Sequence, residues 1–95
     1  MSKIEELIDS EEWTAARREI NAALKKHPDD HWLLTRLGLT YYEQHRYQKA
    51  LEIEEKALKI SPECPLVLWD YAGTLQMLDQ HKKSIKVFQK IMYYP

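Results

Sequence analysis

The sequence predicts an all-α fold of stacked antiparallel helix hairpins, and two observations point to it. The first is a repeat: Pro28 and Pro62 are 34 positions apart, and the same distance separates Ala16 from Ala50. A fixed period of this length is typical of stacked helical repeats. The second is the spacing of apolar residues, which recur three and four positions apart, as on one face of a helix. We therefore expect residues 1–95 to form a single domain of three units, at about 1–30, 31–64 and 65–95.

The first unit begins with a short predicted helix at about 2–9. Ser2 and Glu5 have the spacing of a capping box, in which side chains and backbone at a helix start bond to each other. A second helix follows, with Ala16 and Ile20 four positions apart on one face, and Pro28 ends it.

The middle unit shows both helices of a hairpin, predicted at about 31–44 and 47–60. Leu34, Leu37 and Tyr41 form the apolar stripe of the first helix. The joint after it, His45-Arg46, contains no glycine, and neither does the equivalent joint Asp79-Gln80 in the last unit. Because His and Asp tolerate a left-handed backbone better than most residues, a tight turn is still predicted at both joints.

Two small residues in the middle unit predict that its helices cross closely. A glycine inside a helix costs about 1 kcal/mol relative to alanine, so Gly38 needs a compensating contact. Ala50 lies on the second helix, where the two backbones can approach without a large side chain between them. The pair Ala72 and Ser84 repeats this arrangement in the last unit.

These residues resemble the tetratricopeptide repeat, whose pattern is W-x2-L-G-x2-Y, then A-x3-F, then P. The middle unit reads Leu34-x2-Leu37-Gly38-x2-Tyr41, then Ala50-x3-Glu54, then Pro62. It departs from the pattern at Leu34, which replaces the aromatic residue, and at Glu54, which replaces the phenylalanine. The resemblance implies a right-handed superhelical stack of helix hairpins. It also implies a concave groove, lined by the first helix of each unit, that binds segments of partner proteins.

The resemblance also implies which residues face the groove. In the middle unit they are Trp32, Thr35, Arg36, Leu39, Tyr42 and Glu43, and in the last unit Leu66, Trp69, Asp70, Gly73, Gln76 and Met77. Several are large and apolar, and Trp and Tyr are common anchors of binding sites. In the alternative interpretation, some of these side chains, Trp32 and Tyr42 above all, pack between neighbouring repeats.

The sequence lacks the residues of another type of binding site that occurs in some members of the family. Some members of the family bind a C-terminal carboxylate with a set of Lys, Arg and Asn side chains. The matching positions here are Met1, Glu5, Arg36, Leu66 and Asp70, and only Arg36 fits. We therefore expect the groove to take an apolar or helical peptide instead.

Composition and spacing argue against other classes of function. The net charge is −1, which disfavours nucleic acid as a partner, and no apolar stretch is long enough to span a membrane. His27, His31 and Cys64 could be neighbours at the corners between repeats, but polar corner residues explain them without a metal. Glu54 and Glu55 lie among lysines and are interpreted as ordinary surface residues of a helix. We expect no enzyme activity, no cofactor and a cytoplasmic location.

The last helix supports an alternative function. Its apolar residues are crowded, and those predicted to form a self-association surface are Val87, Phe88, Ile91, Met92 and Tyr94. Such a surface normally receives another helix, because each repeat packs on its neighbours. The chain would then be part of a longer array or a homo-oligomeric scaffold.

Overall fold

The computed structural model describes residues 2–92, and these form three consecutive helix hairpins. The helices are α1 (Lys3–Asp9), α2 (Trp13–Lys26), α3 (His31–Glu43), α4 (Tyr47–Ile60), α5 (Pro65–Met77) and α6 (His81–Met92). The described part of the chain contains no strand. The all-α prediction is confirmed, and the predicted helices of the middle unit agree with α3 and α4 to within one residue.

Side chains at the helix starts explain where two of the helices begin. The Ser2 hydroxyl accepts a hydrogen bond from the Glu5 backbone N–H at 3.2 Å, as the capping-box spacing predicts. The Asp30 carboxylate accepts one from the Leu33 backbone N–H, also at 3.2 Å. Helix α5 has no such cap and begins with Pro65, which lacks an N–H and therefore leaves no donor unpaired there.

The turns inside the three hairpins share one backbone geometry. Glu11, His45 and Asp79 have positive φ angles of 58°, 61° and 61°. These residues are 34 positions apart, so the period of the sequence is also the period of the turns. The left-handed turns predicted at His45 and Asp79 are confirmed. Glu11 was not predicted, because glutamate has no special preference for this geometry and only the repeat register identifies it.

The small residues lie where the paired helices approach each other. A Cβ atom added to Gly38 would lie 3.4 Å from the Glu54 Cγ and 3.8 Å from the Ala50 carbonyl oxygen. In the last hairpin the buried Ser84 hydroxyl donates a hydrogen bond to the Ala72 carbonyl at 2.9 Å. The paired helices thus approach closely at Ala72 and Ser84. At Gly38 an added Cβ would make only ordinary van der Waals contact, so the crossing there does not require glycine.

Two apolar clusters form the core. The first joins the three hairpins and contains Ile20, Leu33, Leu34, Leu37, Ile53, Ala57 and Val67. The second lies between α4, α5 and α6 and contains Leu51, Leu68, Tyr71, Ala72, Leu75 and Val87. Because helices of adjacent hairpins share these clusters, each hairpin is stabilised by its neighbours.

Candidate binding groove

One face of α5 carries an apolar strip at the surface. Leu66, Trp69 and Met77 are exposed, and the Trp69 side chain is 60% accessible. Gly73 and the exposed Gln76 lie beside them, at the spacing of a single helical face. Exposed large apolar residues that lie together are a feature of binding surfaces.

The predicted groove residues of α3 are more covered than those of α5. Trp32, Arg36, Leu39 and Tyr42 are half-buried, and Trp32 packs against the first core cluster. Glu43 is exposed. Thr35 is a correction: it is fully buried, and its hydroxyl donates to the Trp32 carbonyl at 2.7 Å. Because no part of Thr35 is accessible, it cannot contact a partner in this conformation.

The faces of α3 and α5 meet at a cavity of about 190 Å³. Its lining residues are Leu39, Tyr42, Glu54, Trp69, Asp70 and Gly73. Apart from Glu54, all of these were predicted to face the groove. A Cβ atom added to Gly73 would meet nothing within 4 Å, so the missing side chain contributes open space to the cavity.

Glu54 is the residue of the site that the sequence interpretation missed. Its side chain is only 1% exposed, whereas an ordinary surface position was expected. The Glu54 Oε2 accepts a hydrogen bond from the Thr74 hydroxyl at 3.0 Å, and its Oε1 is buried without a hydrogen-bond partner among residues 2–92. Burial raises the pKa of Glu54 to about 8, and the charges of Asp70 and Glu55 act in the same direction. The position of Glu54 in the repeat could have indicated its burial, because the corresponding residues in the other units are the apolar Ile20 and Phe88.

Asp70 is the second acid of the cavity. Burial raises the pKa of Asp70 to about 6, although the Arg36 charge opposes this shift. The Asp70 Oδ2 lies 3.9 Å from the Arg36 Nη2, and the Arg36 Nη1 lies 3.9 Å from the Glu5 Oε1. Arg36 therefore lies between two acids. Among the described positions that bind a C-terminal carboxylate in other members of the family, Arg36 is the only cation, since the others are Glu5, Leu66 and Asp70. Met1, the remaining position of that set, lies outside the described residues.

Two edge-to-face aromatic pairs hold the walls of the cavity. The Tyr42 and Tyr47 rings have centroids 5.3 Å apart, and so do the Trp69 and Phe88 rings. Burial, and then the nearby Tyr47, raises the pKa of Tyr42. Phe88 thus packs against Trp69 and the second core cluster, although it was predicted to belong to a separate self-association surface.

The other predicted self-association residues are not all at the surface. Val87 is a correction, because it is buried in the second core cluster, and Phe88 and Ile91 pack against that cluster. Met92 is 75% exposed, and Tyr94 lies outside the described residues. Ile85, which was not predicted, is 56% exposed on the same helix.

The corners between repeats show no metal cluster in the part of the chain that the structure describes. The His31 Nδ1 lies 3.1 Å from the Ser61 hydroxyl, so this ring nitrogen has a hydrogen-bond partner without a metal ion. Across residues 2–92, no helix is long and apolar enough to cross a membrane. The cytoplasmic location stays a prediction.

Comparison with known proteins gives the family. The sequence profile of the tetratricopeptide repeat matches residues 3–65. This chain belongs to the tetratricopeptide repeat family. A relative, tetratricopeptide repeat protein 21B of Xenopus laevis, is 33% identical over 86 residues, which is 90% of this chain and 6% of that protein. The domain therefore spans only a small part of the length of this relative.

Solved structures give the same fold. MamA from Desulfovibrio magneticus RS-1 superposes with a TM-score of 0.86 at 24% identity, over 95% of this chain and 51% of that one. MamA of AMB-1 superposes with a TM-score of 0.78 at 18% identity, over 90% of this chain and 50% of that one. These likenesses establish the helical repeat fold of the domain.

Proposed function

We propose that this tetratricopeptide repeat domain is a non-catalytic protein–protein interaction module that binds a partner segment in the groove between α3 and α5. Its family membership supports a role in protein binding. The observation that carries the proposal is Trp69, a tryptophan that is 60% exposed at the edge of a cavity. Leaving such a side chain in water is unfavourable, and it is among the residues that most often anchor a partner.

The exposed strip on α5 indicates the chemistry of the partner. Leu66, Trp69 and Met77 follow one helical face over three turns, which suits an amphipathic helix or an extended apolar segment. Of the residues first assigned to the groove, Thr35 is omitted because it is buried. The other eleven remain in the proposed surface.

A selection from a random peptide library tests the groove. Peptides that bind the domain should lose at least about tenfold in affinity when Trp69 is replaced by alanine, because an aromatic anchor is worth about 2 kcal/mol or more. Tyr42→Ala should weaken the same peptides. Ile60→Ala is the matched control, since Ile60 is an exposed apolar residue that lines a different surface with Leu24 and Pro28. Peptides that bind the Trp69 variant as tightly as the native domain would contradict the proposed site.

Self-association through α6 is a second candidate, and the repeat register favours it. Ile85 and Met92 lie 34 positions after Leu51 and Leu58, which belong to or pack against the second core cluster with α5. A helix from a second copy could cover Ile85 and Met92 as α5 covers their counterparts. Light scattering over a wide concentration range would then show a dimer that Ile85→Glu with Met92→Glu dissociates. A monomer at every concentration would exclude this candidate.

A further inference from the structure

The cavity of the groove contains buried carboxyl oxygens without hydrogen-bond donors. The Glu54 Oε1 and the Asp70 Oδ2 are both inaccessible to solvent, and neither has a hydrogen-bond partner among residues 2–92. Glu54 as a whole is 99% covered, and it lines the cavity from α4. Buried polar groups in folded proteins are normally paired. The Asp70 Oδ2 lies 3.9 Å from the Arg36 Nη2, so the Glu54 Oε1 is the oxygen of the pair that has no charged group assigned to it.

The charges around the cavity indicate that the donor is a cation. Among the described residues, no Lys, Arg or His lines the cavity, which has two acids in its wall. Arg36 is the cation paired with Asp70 at 3.9 Å, and Glu5 shares it. Trp69 and Tyr42 form aromatic walls, and aromatic faces attract ammonium and guanidinium groups.

The volume of the cavity limits the size of the ligand. At about 190 Å³ it is smaller than the roughly 300–1,000 Å³ of typical small-molecule sites. It therefore suits one side chain of a larger partner. Gly73 provides room for that side chain, because its own Cβ position is empty.

We infer that the cavity binds a basic side chain, lysine or arginine, of the partner segment in the groove. The cationic group would approach the Glu54 and Asp70 carboxyl groups, and its methylene groups would lie against Leu39 and Trp69. Because the Glu54 Oε1 and the Asp70 Oδ2 are covered in the unbound domain, the side chains of the cavity wall must shift when the cation binds. This inference rests on the proposed function and refines it, because the partner becomes an apolar segment with one basic residue.

Protonation of Glu54 couples this binding to pH. At neutral pH its raised pKa keeps the carboxyl largely protonated, and a bound cation would lower that pKa and release a proton. The titratable groups that face Glu54 are Asp70 on α5, Tyr42 on α3 and Glu55 on its own helix. Binding of a cation should therefore be tighter at about pH 8.5 than at about pH 6.

Small probes test the cavity without a partner protein. The domain would be titrated by NMR with n-butylammonium chloride, n-propylguanidinium chloride and n-butanol, with sodium chloride keeping the ionic strength constant. We expect saturable shifts of the Trp69 indole N–H and the Gly73 amide with a Kd of roughly millimolar for a cation, and at least about tenfold weaker binding of n-butanol. The two cations separate lysine-like from arginine-like recognition.

Two variants decide whether the carboxyl groups are responsible. At about pH 8.5, where the Glu54 carboxyl is mostly ionised, Glu54→Gln should weaken cation binding at least about tenfold, because the amide is neutral and places a donor where the cation would sit. Glu52→Gln removes an exposed carboxylate from α4 and should leave the titration unchanged. Equal binding of n-butanol and n-butylammonium would overturn the inference, and so would unchanged cation binding by a folded Glu54→Gln variant.

The two proposals fail in different ways. If n-butylammonium binds at Trp69 but no selected peptide depends on Trp69, the groove function is wrong and the cation site stands. If selected peptides depend on Trp69 but norleucine replaces their basic residue without loss, the cation site is wrong and the groove function stands.

Discussion

Replacing Glu54 with glutamine should stabilise the domain at neutral and alkaline pH but not at acidic pH. The glutamine keeps the shape of the side chain, and its carbonyl can still accept the Thr74 hydrogen bond. What it removes is a carboxyl group whose pKa burial raises from 4.5 to about 8. Between these values the folded domain holds a proton that the unfolded chain releases. The contribution of Glu54 to the stability of the native protein is therefore fully present below the unfolded pKa and is lost as the pH rises toward 8.

The size of the effect follows from the width of this pH window. Within it, one proton difference changes the free energy of unfolding by about 1.4 kcal/mol for each pH unit. From about pH 6 to about pH 7.5 the native domain should therefore lose about 2 kcal/mol relative to the Glu54→Gln variant. Asp70, whose pKa is raised to about 6, also lowers the free energy of unfolding as the pH rises, but it does so at lower pH than Glu54. It is common to both proteins, as are all other titratable groups, so the difference between them isolates Glu54.

Urea denaturation followed by circular dichroism measures this difference. The free energy of unfolding of the two proteins would be determined at both pH values in buffers of equal ionic strength. Glu52→Gln serves as the control, because it makes the same chemical change at an exposed carboxylate of α4 that does not line the cavity. If the difference between the native domain and Glu54→Gln changes by less than about 0.5 kcal/mol between the two pH values, Glu54 ionises normally and the reasoning fails.

Three further substitutions test the packing around the groove. Gly38→Ala should stabilise the domain by up to about 1 kcal/mol, because its Cβ would make ordinary contact with Glu54 at 3.4 Å, and a lower melting temperature would show that the crossing is tighter. Gly73→Leu should fill open space, so the melting temperature should stay the same or rise, and binding of n-butylammonium should be abolished. If the variant still binds n-butylammonium, that probe binds at another site. Ser84→Ala should cost about 1 kcal/mol in urea denaturation by removing the hydrogen bond to Ala72, and no loss would mean that this bond adds nothing net.

The fold was predictable because its determinants repeat along the chain. A turn at His45 predicts one at Asp79, and proline after α2 predicts proline after α4. Such features depend on local backbone preferences and on register, which a single sequence displays directly.

The burial of groove residues was harder to predict because α3 has neighbours on most sides. It packs against α2, α4 and α5, so a position off its main apolar stripe can still be covered. Thr35 is such a position. For Glu54 the residue type was misleading, since an acid among lysines resembles a solvent-exposed helix face. Its place in the repeat, where the other units have apolar residues, was the better guide.

The cavity results from two departures from the repeat that meet in space. Glu54 stands where the other units have Ile20 and Phe88, and Gly73 stands where the middle unit has Leu39. Each change removes apolar volume, and both open onto the same space between Tyr42 and Trp69. Filling that space with one leucine side chain would gain roughly 1.5–3 kcal/mol of burial. The chain thus gives up stability at one point of its groove, as proteins commonly do at binding sites. The forgone contacts surround two carboxyl oxygens that lack hydrogen bonds within residues 2–92. A cationic ligand in this space would compensate for both departures from the repeat, and the n-butylammonium titration distinguishes such a site from a simple loss of packing.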